Sequence, residues 1–257
     1  MHSELKTQVM KLLGANTRLD GRKQTEYRKP IKVEYGVTKT AEGSARVKIG
    51  DTEVIAGVKL EVMKPYPDAP DKGSIMVGVE LLPLSSPDFE SGPPSIQAVE
   101  LARVVDRGLR ESKAIDFNKL LIEEGEKAWM VVIDICTIND AGNLFDTCAL
   151  AALAALKDTK FPKYENDVIE YKEKTSKKID LDQEPISVTV SKIGEHFILD
   201  PDHEEEQTID ARLTVAVMAD GNICAMQKGG EMGLTVEDIN KMVDIAITGT
   251  KTLRGTL

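Results

Sequence analysis

Between residues 31 and 84, apolar and polar residues take turns in four short runs: IKVEYGV (31–37), SARVKIG (44–50), TEVIAGVKLEV (52–62) and SIMVGVELLPL (74–84). A period of two sends every second side chain to the same face, so each run reads as a strand with one buried side, and antiparallel pairing is the expectation. Gly50 and Asp51 lie between two of these runs and mark a hairpin. The period then changes to 3.6 in IQAVELARVVDRGLRES (96–112), which predicts a helix with Ser95 as its N-cap. A strand at WMVVIDICTIN (129–139), a tight turn DAGN (140–143) and an alanine-rich helix TCALAALAALKD (147–158) follow, with Asp146 placed to cap that helix. So many alanines predict close packing against a sheet.

A smaller second half repeats the theme. ISVTVSKI (186–193), HFILD (196–200), RLTVAVMA (212–219) and NICAMQKG (222–229) read as strands, the last two joined at Asp220-Gly221, a type I′ turn signal. A closing helix starts at Thr235 with Asp238 at the capping-box distance. The expected organisation is an N-terminal helix and turn over 1–30, a first half over 31–160, a charged and weakly periodic connector over 161–185, and a second half over 186–257. Strands followed by helices, twice, give an α+β class, with two sheet-plus-helix halves packed as one unit.

Composition narrows the function classes. A formal net charge of −10 over 257 residues argues against gripping nucleic acid with the whole surface, while leaving room for a local basic patch. No run approaches the roughly 18 apolar residues that span a bilayer, and MHSELKTQVMKLLG lacks the apolar stretch of a secretory signal, so a soluble cytoplasmic protein without membrane contact is expected. Cys136, Cys148 and Cys224 sit far apart among apolar residues and read as free buried thiols; with His2, His196 and His203 they form no metal-ligand spacing.

The helix over 96–112 carries the first chemical signal. With Arg103 at zero and 100° per residue, Arg107 falls near about 40° and Arg110 near about 340°, so three guanidinium groups share one stripe opposite Leu101, Val104, Val105 and Leu109. Two readings fit. One is a solvated face with internal pairs, Asp106 with Arg110 and Arg107 with Glu111; the other is a phosphate ladder for single-stranded nucleic acid. Few aromatics are present for base stacking. No GxxxxGK, GxSxG or strand-anchored GxGxxG occurs, and Lys228-Gly229-Gly230 reads as a turn rather than a cradle. Asp200-Pro201 ends a strand, and the acidic run DHEEEQ (202–207) reads as a solvated loop, the rival being a paired-carboxylate acid/base site that would need two of these groups held inward.

Taken in order, RLDGR (18–22), EGSARVKIGDTEVIAGV (42–58), RVVDRGLRES (103–112), the IND-AGN turn with its AALAAL helix, and ILDPDHEEE with the strands and helix after it resemble the RNase PH family of phosphorolytic exoribonucleases. The resemblance covers nearly the whole chain and is closest to ring subunits of the archaeal exosome, of the non-catalytic type related to the eukaryotic ring component numbered forty-two. It implies the RNase PH-like fold and a ring of six alternating with a catalytic partner, three of each. It also implies single-stranded RNA in a central channel and RNA-binding cap proteins.

Active members carry a Ser/Thr-Arg pair for phosphate where this chain has Asn143-Leu144, and a Glu-Ala-Asp triplet where it has Asp210-Ala211-Arg212. Leucine cannot donate to phosphate, and arginine stays protonated at any relevant pH. The resemblance therefore implies no catalytic residue, no metal site and no cofactor in this chain, with inorganic phosphate, and magnesium if any, used at the partner's site. It also implies that Arg103, Arg107 and Arg110 face RNA. The alternative is an exoribonuclease active in its own right, holding phosphate with Asn143 and Arg212.

Overall fold

The alternating runs form the expected strands in a computed structural model that describes residues 2–257, with every side chain except those of residues 2, 172 and 173. After α1 (His2–Gly14), strands β1 (Ile31–Tyr35), β2 (Gly43–Ile49) and β3 (Thr52–Met63) pair antiparallel in succession, with Ile49 opposite Thr52 across the Gly50-Asp51 turn. The next strand departs from the expectation. β4 (Ser74–Glu80) leads through α2 (Ile96–Glu111) and β5 (Leu121–Glu123) to β6 (Lys127–Asn139), and β4 and β6 are parallel. A helical crossover returns the chain to the end of the sheet it left, which is what a parallel pair requires. The sheet order is β1-β2-β3-β6-β4, with β5 paired to β6, so β4 forms an edge.

α3 (Leu144–Asp158) explains its alanines. Cys148, Leu150 and the whole run Ala151–Leu156 are buried, and the helix packs on β2 and β3 on one side and on β9 (Ile186–Ile193) on the other. A helix apolar on all sides belongs in an interior, and small side chains let two sheets approach it.

The segment read as a connector is instead a hairpin, β7 (Lys160–Glu165) with β8 (Val168–Lys178). Asn166 and Asp167 both have positive φ between paired Glu165 and Val168, which makes this the type I′ turn. Trp129 of β6 meets Phe161 and Tyr164 edge-on at 5.7 and 5.5 Å and fastens the hairpin to the first sheet.

The second sheet has the order β10-β9-β11-β12, where β10 (His196–Leu199) and a short α4 (His203–Glu206) precede β11 (Ala211–Val217) and β12 (Ile223–Gly229). Asp220-Gly221 does not make a two-residue turn there. Only Gly221 has positive φ, and the loop closes through Gly221 N–H to Met218 O and Met218 N–H to Asn222 O. α5 (Val236–Arg254) begins with the anticipated capping box of Thr235 and Asp238 and covers the face of this sheet away from α3. One core cluster runs from Val47 and Ile133 of the first sheet through α3 to Val188, Val215 and Leu253. α1 forms a satellite core on the second half, with Val9 and Leu13 against Ile193 and Ile198. Among the described residues no helix is long and apolar enough to cross a membrane.

The approach of β2 to α3 leaves no room for a methyl group at Gly43, where a Cβ would lie 2.4 Å from Ala155 O and 2.6 Å from Thr159 Cα. Gly43→Ala is expected to lower stability by roughly 2–4 kcal/mol in urea unfolding, because backbone must move. Gly14→Ala, where nothing lies within 4 Å, should stay within about 0.5 kcal/mol of the parent.

Candidate RNA-facing surface and phosphate seat

Ser95 opens α2 by accepting the Ala98 N–H at 3.2 Å, and the helix buries Ala98, Leu101, Val104, Val105, Gly108 and Leu109 against the rest of the protein. That burial turns the opposite stripe outward. Arg103 and Arg107 are exposed, and Arg110 is half-buried. All three border one groove of about 610 Å³ between α2 and β4, floored by Ile75, Met76, Gly78 and Val99. Arg103 and Arg107 also border a second groove of about 390 Å³ on the other side of the helix, toward Gln227 of β12.

The three guanidinium groups are not equivalent. Arg110 donates Nε to Asp106 Oδ2 at 3.0 Å and Nη2 to Asp106 Oδ1 at 2.8 Å, and Nη2 also reaches Ile75 O at 2.9 Å. The pair expected between Asp106 and Arg110 is therefore formed. Arg107 donates instead to Gln227 Oε1 at 3.3 Å, and Arg103 makes no hydrogen bond or ion pair among the described residues.

The positions that align with the phosphate-holding pair lie at the start of α3. Asn143 takes φ 60° as the first flanking residue of the helix and is buried, with Nδ2 donating to Asp200 Oδ1 at 2.9 Å and to Asp146 Oδ2 at 3.2 Å. Its backbone N–H, the donor an incoming anion would use at a helix N-terminus, is bonded to Glu206 Oε1 at 2.8 Å. Leu144 is buried in the core. These residues do not fit an inorganic phosphate.

Asp146 is not the cap it is expected to be. It is fully buried and accepts from Tyr27 Oη at 2.8 Å and from Thr189 N–H at 2.7 Å. Burial pushes its carboxyl up to about 7 against the pull of these hydrogen bonds. Glu206 is likewise raised to about 7 by burial, with the Asn143 N–H acting in the opposite direction.

The acidic run is not a solvated loop. Asp200 is buried and receives Arg28 N–H at 2.6 Å, Arg28 Nη2 at 2.9 Å and Arg22 Nη1 at 3.2 Å. Asp202 and Glu205 form a capping box on α4, and Glu205 pairs with Arg18, the two side chains being 1 % and 0 % exposed. Arg18 also donates to Leu199 O at 2.7 Å and Asp200 O at 2.9 Å. Arg18, Arg22 and Arg28 thus pair with Asp200 and Glu205, a role that no local pattern in the run announces. Asp210 is spoken for too. Burial raises its carboxyl, but the bonds from Lys6 and from Gly194 N–H outweigh that and hold it below the usual range, so it keeps no proton to donate.

Arg212, the last residue of the Asp210-Ala211-Arg212 triplet, turns toward α3 and α2. Its guanidinium lies 4.6 Å from the Phe145 ring centre and donates to Glu100 Oε1 of α2 at 2.6 Å. The glycine pair near the end of β12 gains its reason here, since a Cβ at Gly229 would sit 2.5 Å from Arg212 Cζ and one at Gly230 2.8 Å from Ala211 Cα.

Residues 27–162 match the model of the 3′ exoribonuclease family, domain 1, and residues 183–249 match domain 2 of the same family, RNase PH. Among curated proteins, the exosome complex component Rrp42 of Methanocella arvoryzae is 48 % identical over 246 residues, covering 96 % of this chain and 92 % of that one. That of Methanopyrus kandleri is 44 % identical over 253 residues, covering 97 % and 94 %. Among solved structures, a chain of the Archaeoglobus fulgidus exosome with RNA bound to the active site superposes with a TM-score of 0.91 at 43 % identity, covering 99 % of this chain and 98 % of that one.

Two outcomes follow from the buried charges. Arg18→Met is expected to cost about 3–5 kcal/mol of stability in chemical unfolding, because Glu205 is left buried without its partner, and adding Glu205→Leu should recover most of the loss. Glu206 binds its proton more tightly folded than unfolded, so its contribution is complete below about 4.5 and is lost as pH rises toward about 7. Glu206→Gln keeps an acceptor for Asn143 N–H and removes this titration. Thermal unfolding from pH 5 to 8 should show the parent declining relative to the variant by on the order of 1 kcal/mol, reduced from the full linkage because the half-buried carboxylate is partly screened by water.

Proposed function

The chain belongs to the RNase PH (3′ exoribonuclease) family, and from that premise we propose that it is the non-catalytic, RNA-holding subunit of an archaeal exosome ring. It alternates with a catalytic RNase PH-type subunit, three of each, around a channel for single-stranded RNA, beneath cap proteins that bring RNA-binding domains. The reading places the complex in the cytoplasm and gives this subunit no cofactor, with inorganic phosphate, and magnesium where the reaction needs it, at the partner's site.

One observation carries the non-catalytic half of the proposal. The donor that would receive phosphate, Asn143 N–H, is taken by the chain's own Glu206 carboxylate, beside a leucine where a phosphate-binding arginine would stand. The alternative of an active enzyme would enlist Arg212, which is already paired with Glu100 and leaves no carboxyl in place to assist the leaving group. Arg103, Arg107 and Arg110 border the groove on α2, and guanidinium groups suit phosphate oxygens. Holding the 3′ end of the RNA at fixed distance from the partner's phosphate converts a loose encounter into an oriented attack. The partner then cleaves the terminal phosphodiester and releases a nucleoside diphosphate.

The purified chain incubated with end-labelled oligo(A), inorganic phosphate and magnesium should release no nucleoside diphosphate above a protein-free control, and release should appear once a catalytic partner is added. Release by the chain alone would establish the alternative. In the reconstituted ring, Arg103→Ala with Arg107→Ala should reduce turnover of limiting RNA about tenfold or more while ring assembly by sedimentation is unchanged; full activity would remove the ridge from RNA contact.

A further inference from the structure

We infer that Arg212 is a positioning residue for the RNA ridge: by holding Glu100 it keeps Arg103 unpaired and available for phosphate. The inference rests on the RNA-holding role proposed for α2 and deepens it.

α2 carries three acids, Glu100, Asp106 and Glu111, and the first two stand three residues to either side of Arg103. Glu100 stands three residues before Arg103, a spacing at which helix side chains meet and opposite charges pair. Left to itself, Glu100 is within pairing reach of Arg103. It is drawn away instead by Arg212 of β11, at 2.6 Å. Arg212 can reach that far because its guanidinium passes over Gly229, its cross-strand neighbour, where any Cβ would collide with it. The Phe145 ring supports it at 4.6 Å. Three elements, β11, β12 and α3, are thus shaped around one cation whose contact on α2 is an acid.

The second acid is handled the same way. Arg110 occupies Asp106 with two bonds and uses a third donor on Ile75 O of the edge strand β4. Its charge is matched, and its fork is directed at the protein. What remains uncompensated along the stripe is Arg103, with no partner among the described residues, and Arg107, held only by the neutral Gln227. Both border both grooves. The two acids spaced to pair with Arg103 are held by Arg212 and Arg110, and Arg103 and Arg107 face the grooves without a bond to any carboxylate among the described residues.

The test uses the ring assembled from the full chain and its catalytic partner, with fluorescent oligo(A) binding followed without phosphate over a range of salt. Arg212→Ala should weaken binding about fivefold and reduce the salt slope by roughly 0.7, the share of one phosphate contact on a single strand, because Glu100 then neutralises Arg103. Adding Glu100→Gln to Arg212→Ala should restore both affinity and slope, and Arg212→Ala should add nothing in an Arg103→Ala background. A merely structural role for Arg212 would not be rescued by removing Glu100. Failure of that rescue overturns the inference, as does an additive loss with Arg103→Ala, which would mean that Arg212 touches RNA itself. If Arg103→Ala and Arg107→Ala are themselves without effect on binding, the RNA-holding reading of α2 fails and the inference goes with it.

Discussion

Arg18 and Glu205 are buried together 187 residues apart in sequence, and much of the molecule's order follows from that pair. Two charges out of water are tolerable only when the surrounding groups complete their hydrogen bonds, and here they do: Arg18 also holds the carbonyls of Leu199 and Asp200, while Glu205 closes the capping box of α4. The pair ties the segment after α1 to the second half of the chain. Asp200, fixed beside it by Arg22 and Arg28, reaches Asn143 and so sets the residue from which α3 starts. An ionic knot at the N-terminal segment thereby fixes the start of the central helix.

The same knot closes the N-terminus of α3. Glu206 follows Glu205 on the one turn of α4, and its carboxylate arrives at Asn143 N–H because its neighbour is anchored. A helix N-terminus that would favour an anion receives a carboxyl group from its own chain. The polar groups at the start of α3 satisfy one another. Arg212 likewise spends its charge within the protein, on Glu100 of the neighbouring helix.

What could be read from the sequence divides along the range of the interactions involved. Ser95, and Thr235 with Asp238, sit at their caps because capping is settled within four residues. The arginine stripe of α2 also follows from local periodicity. The parallel pairing of β4 with β6 is a long-range choice that alternation alone does not encode. The hairpin over β7 and β8 was obscured by its charges, although Asn166 and Asp167, residues that accept left-handed backbone, mark its turn. The acidic run reads as solvated in isolation because its partners, Arg18, Arg22 and Arg28, lie at the other end of the chain. Asp146 resembles a cap for a related reason: its hydrogen bonds come from Tyr27 and Thr189, each from a different part of the chain.

The all-round burial of α3 has a consequence for how such a chain can be divided. Although the family recognises two domains, the helix that completes the first is also a wall of the second, packed on β2 and β3 and on β9 at once. Either half taken alone would leave a face of leucine and alanine open to water, so removing one exposes the core of the other.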